Sequence, residues 1–93
     1  MSDQANSHEC TQDELSGIHG ANLGGPVVVM MTTDLTQVLG GEVIDNMPDD
    51  PSSASALWAQ KTAGIKRYYP ADSVAIRGDL VGNLITFHKA ETV

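Results

Sequence analysis

Gly24-Gly25-Pro26-Val27-Val28-Val29-Met30-Met31-Thr32-Thr33-Asp34 is the stretch on which the fold turns. Five consecutive apolar residues, three of them β-branched, stand between Gly-Gly-Pro and Thr-Thr-Asp. The run is too short for an independent helix, and its flanks are turn formers, so it predicts a buried strand.

Downstream of this strand, Asp34 can cap a helix with Gln37 in the capping-box position. Leu35, Val38 and Leu39 would share its apolar face and Gly40-Gly41 would stop it, which predicts a short helix over about 34–39. Glu42 to Asp45 reads as a short strand, and Asn46 to Pro51 as a turn. The strongest local signal follows. Asp50 stands at an N-cap, Pro51 at the first helical position and Gly64 past the end, predicting the main helix over about 51–63. Ala54, Leu57 and Trp58 share a face of it, with Trp58 as the residue that seats it on a sheet. The remaining residues read as three antiparallel strands, 65–69, 73–77 and 84–88, joined at Pro70-Ala71-Asp72 and by the turn residues between Gly78-Asp79 and Gly82-Asn83.

Upstream, residues 1–16 are polar and aperiodic, and residues 17–25 are glycine-rich, which predicts a flexible N-terminal arm. The fold expected is therefore α+β: a small, mostly antiparallel sheet of four to five strands, one main helix and one short one. An arm at 1–25 would precede a single domain at 26–93.

Ninety-three residues bound the chain to one domain with a thin core. The single cysteine, Cys10, excludes an intrachain disulfide. The longest apolar run, Val27 to Met31, is far below the roughly 18 residues of a membrane-spanning helix. The first residues carry neither a basic group nor an apolar core, so no secretory signal is expected. Those features point to a cytoplasmic or virion-associated location. Charge is unevenly distributed. Residues 1–60 hold nine acids and no Lys or Arg, whereas residues 61–93 hold five bases and three acids. Nucleic-acid binding needs clustered cations to release phosphate counterions, and this balance argues against it. The same asymmetry suits a basic protein partner or contact between copies of the chain.

No motif specifies a reaction. His8, Glu9 and Cys10 adjoin one another, but on a mobile arm they make neither a rigid metal site nor an activated thiol. The glycines at 17, 20, 24 and 25 precede a strand instead of following one and lack a lysine, unlike a phosphate loop. Arg77-Gly78-Asp79-Leu80 matches the integrin-recognition tetrapeptide at an expected hairpin tip, where Gly-Asp is ordinary turn chemistry. Asp45, Asp49 and Asp50 lack the alternating ligands of a calcium loop. No cofactor or metal is expected.

One cluster stands out. Arg67, Tyr68 and Tyr69, close in sequence to Trp58, are the residue types enriched at interface hot spots. They are the interface candidates, with Asp49 representing the acidic half. The sequence thus points to a non-enzymatic protein-protein interaction protein. It would be an acidic inhibitor or regulator of a protein target, or an accessory structural subunit of a larger assembly such as a virion. The alternative is a small oligomeric enzyme, or enzyme subunit, with its site at a subunit interface and His88 as the base.

Overall fold

The structure, a computed structural model, describes residues 6–88. In chain order its elements are β1 (Ser7–Glu9), α1 (Gln12–Ser16), β2 (Ile18–His19), β3 (Gly25–Met31), β4 (Val38–Val43), α2 (Pro51–Lys66), β5 (Val74–Val81) and β6 (Leu84–Phe87). The strands form one mixed sheet in the order β1-β6-β5-β3-β4-β2. All pairings are antiparallel except β2 with β4. The α+β class, the mostly antiparallel sheet and the single main helix agree with the sequence, with six strands where four or five were expected.

β3 is the centre because its apolar run can be buried on both sides. Val27 to Met31 are each no more than 1% exposed. Alternation sends Val27, Val29 and Met31 to an inner face, where they pack with Cys10, Ile18, Val38, Val43, Leu80 and Ile85. Val28 and Met30 point the opposite way, to the face on which α2 lies.

The sheet is curled around its inner face without closing. One carboxylate oxygen of Glu14 on α1, Oε2, lies 3.1 Å from His8 Nε2 on β1 and 2.8 Å from Val38 N on β4. Those two nitrogens are therefore within about 6 Å, whereas strands four places apart in a flat sheet would be separated by roughly 19 Å. The length of an imidazole side chain does not make up the difference. α1 spans this gap, with Glu14 joined to His8 on β1 and to Val38 on β4.

Several local elements differ from their sequence reading. The N-terminal segment read as an arm supplies β1, α1 and β2, and places Cys10 and Ile18 in the core at 4% exposure each. Those two side chains, with Leu15 and Ala21 packed against the same core and with the β1–β6 and β2–β4 pairings, hold it to the sheet. Gly20, Gly24 and Gly25, all at positive φ, then turn the chain into β3. Residues 1–5 of the expected arm lie outside the described residues.

The short helix expected at about 34–39 is instead the end of the loop between β3 and β4, over 34–37, and the first two residues of β4. Asp34 accepts hydrogen bonds from the Thr32 and Thr36 hydroxyls, both 2.7 Å, and from Thr36 N. That side-chain turn competes with a helix too short to repay its nucleation. Gly40-Gly41 do not stop a helix but lie inside β4, where a Cβ at Gly40 would run into the Tyr69 ring.

α2 begins as expected, with Asp50 accepting from Ser53 N at 2.9 Å and Pro51 in the first turn. It passes through Gly64 and ends at Lys66, so the strand expected at 65–69 is the end of this helix and the turn after it. Arg77-Gly78-Asp79-Leu80 lies within β5, and the hairpin tip is Gly82-Asn83. Among the described residues no helix is long and apolar enough to cross a membrane.

Candidate functional site

The C-terminal half of α2 stands off the sheet edge and leaves an open cleft of about 880 Å³. Leu57, Lys61 and Gly64 recur at helical spacing along one side of α2 and form a wall. His19 of β2 and Glu42 of β4, paired in register, form the floor. Arg67, Tyr68 and Tyr69 close the end. Lys61 Nζ reaches Glu42 at 3.2 Å and ties wall to floor. Both side chains are about a third exposed, so this ion pair contributes under about 1 kcal/mol. Gly64 has nothing within 4 Å of where a Cβ would stand, which leaves the wall open at its C-terminal end.

The two tyrosines have different environments. Tyr69 lays its ring against Gly40, using the space that the missing side chain provides. Tyr68 is turned outward and is 81% exposed beside exposed Arg67. Lys61, Lys66 and Arg67, three of the five cationic residues in the chain, lie within seven positions at this end of α2. The structure thus brings Arg67, Tyr68 and Tyr69 together on one cleft.

The other two interface candidates lie elsewhere. Trp58 is on the flank of α2 that faces β5, half-buried, with the Arg77 guanidinium 5.5 Å over its ring and the His88 ring edge-on at 5.5 Å. Cation–π and edge-to-face contacts of this kind seat the helix. Asp49 is exposed in the loop before α2, at the far end of a helix roughly 24 Å long. His88 Nε2 lies 2.8 Å from an Asp79 carboxylate oxygen, but their side chains are 41% and 51% exposed and do not line the cleft.

A second constellation lies at the gap in the curled sheet. His8, Cys10 and Glu14 each direct a donor atom to a common point, with all three atoms within 4.8 Å of one another. Alternation along β1 turns His8 inward and Ser7 and Glu9 outward. Thr11 caps α1, and the Glu14 carboxylate at the third helical position accepts a hydrogen bond from Thr11 N at 2.8 Å. The same carboxylate accepts from Val38 N and meets His8 Nε2 at 3.1 Å from each oxygen.

Burial pushes the Cys10 thiol up to about 11, and the neighbouring Glu14 charge adds to the effect. Burial also works to raise Glu14, but hydrogen bonds from Val38 N, Thr11 N and His8 outweigh it and hold the carboxyl below its ordinary value. A protonated thiol enclosed in the core is not a nucleophile.

Sequence reasoning grouped His8 and Cys10 with Glu9, which is exposed and faces Asn83. The third member is Glu14. The signal that finds it is the capping box Thr11-x-x-Glu14, which fixes a helix where an arm was expected. Comparison with known proteins returns no matching family model, no matching curated protein and no matching solved structure, so the geometry alone supports a functional reading.

Proposed function

We propose that the protein acts by binding another protein, and that the cleft beside the C-terminal half of α2 is its contact surface. The observation that carries this is Tyr68, 81% exposed at the rim of a cleft that it shares with Arg67 and Tyr69. A large aromatic left in water gains most when a partner covers it, and Tyr and Arg are the types that dominate interface energetics. Lys66 and Arg67, beside a Lys61 already paired with Glu42, give this end of α2 a positive character within a chain of net charge −7, which suits an acidic segment on the partner. An inhibitor or regulator of one target and an accessory subunit of an assembly both fit such a surface.

The test is affinity capture with the full chain, comparing wild type with Tyr68→Ala and Arg67→Ala. A partner held by wild type and lost by both variants, at unchanged thermal stability, supports the proposal. A partner held equally by all three overturns the assignment to this cleft.

A further inference from the structure

We infer that His8 Nε2, Cys10 Sγ and the Glu14 carboxylate form a binding site for one divalent transition metal of the zinc type, at the gap of the curled sheet and separate from the cleft. The donor set points to that class. One thiol, one imidazole and one carboxylate match zinc and its neighbours, whereas magnesium and calcium take oxygen ligands alone.

The spacing fits as well. Nitrogen and oxygen ligands on a tetrahedral zinc lie about 3.3 Å apart, given bond lengths of about 2.0–2.1 Å. His8 Nε2 is 3.1 Å from both Glu14 oxygens. In the structure one imidazole nitrogen is shared between two carboxylate oxygens, and a cation held between imidazole and carboxylate would engage the same three atoms. The sulfur of a zinc-bound cysteine lies about 3.6 Å from a neighbouring nitrogen ligand. Cys10 Sγ is already within 4.8 Å of the other donors, so it must close by no more than about 1.2 Å, a side-chain adjustment.

The supporting contacts are those of a built site. Glu14 is oriented by two backbone N–H groups, Thr11 N and Val38 N, each at 2.8 Å. Outer contacts of this kind fix the ligand and are left intact when the metal enters. Cys10 is tethered through its backbone, with Cys10 N donating to Asn83 O at 2.7 Å. On binding, the Cys10 thiol releases its proton to solvent, and the His8 contact with Glu14 gives way to two metal bonds. The fourth position falls to the second Glu14 oxygen or to water. Because the donors come from β1, from the link after it and from α1, the metal would fasten β1 to α1, with β4 held only through the Val38 N–H that Glu14 accepts.

The experiment uses the full chain, freed of metal with a chelator and titrated with cobalt(II) and then zinc. Cobalt is expected to bind one to one with a thiolate-to-cobalt charge-transfer band that zinc abolishes, and zinc is expected to raise the melting temperature. Cys10→Ala and His8→Ala should each weaken zinc binding at least tenfold, while His19→Ala and His88→Ala leave it unchanged. Zinc binding that is undiminished in a folded Cys10→Ala variant overturns the site. Should the two ligand variants fail to fold, the wild-type spectrum decides. Cys10 is the sole thiol in the chain, so absence of a thiolate-to-cobalt band is by itself disproof.

Discussion

α2 and the N-terminal segment from β1 to β2 offer opposite lessons. α2 carries the clearest local signals in the chain, with a cap at Asp50 and Pro51 in the first turn, yet none of its residues is fully buried. The segment from Ser7 to His19 is polar and carries weak signals, yet it places Cys10 and Ile18 in the core and seals the gap in the sheet. Local chemistry decides where a helix starts. Burial is decided by which side chains reach the inner face, and here Cys10 and Ile18 do so with support from Leu15, Ala21 and two strand pairings. The segment that looks detachable is therefore the one the core depends on, and the well-marked helix is left to form a surface.

The sharpest way to break this comparison is a pair of truncations. Ile18→Ala removes a buried side chain from the inner face and should cost about 2–5 kcal/mol, whereas half-buried Leu57→Ala on α2 should cost about 1 kcal/mol. Urea unfolding of both variants measures the difference. Equal costs would mean that α2 contributes as much to the core as the N-terminal segment does.

A smaller effect concerns Glu14. An amide offers one oxygen where the carboxylate offers two, so Glu14→Gln deprives Thr11 N or Val38 N of its acceptor and should cost about 2 kcal/mol. The wild-type advantage has a definite pH dependence. The folded-state pKa of Glu14 is lowered, so its contribution is fully present above the ordinary carboxyl value of 4.5 and is lost as pH falls through the lowered folded value. Unfolding curves of metal-free wild type and variant should therefore converge on acidification. A gap that stays constant down to strongly acidic pH would show that the carboxylate charge plays no part.

The smallest expected effect has the opposite sign. Gly64 lies inside α2 with free space where a side chain would stand, so Gly64→Ala should stabilise the protein by about 1 kcal/mol. A thermal melt that shows destabilisation would mean that the wall of the cleft is tighter than its geometry indicates.

What could be read in the sequence was whatever depends on neighbours in the chain. The Val27–Met31 strand, the start of α2 and the α+β class all rest on such patterns. The loop at 34–37 misled because Asp34 can cap a helix or fold back onto Thr32 and Thr36, and only the pairing of β4 with β3 selects the second. Gly40 and Gly41 carry turn chemistry in the sequence, but their role comes from Tyr69, nearly thirty residues away, and from the Val28–Val29 backbone and side chain beside them. In the cleft, the residue types Arg67, Tyr68 and Tyr69 were legible, while its walls from β2 and β4 depend on long-range pairing. The parallel pairing of Ile18 with Gly41 has no signature in either segment.

The pairing of β1 with β6 has a mechanical consequence. Ser7 to Glu9 run antiparallel to Leu84 to Thr86, and Phe87 N donates to Asn6 O at 2.9 Å, so the two ends of the described chain lie side by side. Tension applied through those ends would pull across the strands and load their hydrogen bonds one after another instead of together. The protein is thus built to open like a zipper under force, beginning at Asn6 and Phe87 and reaching Cys10 within one short strand.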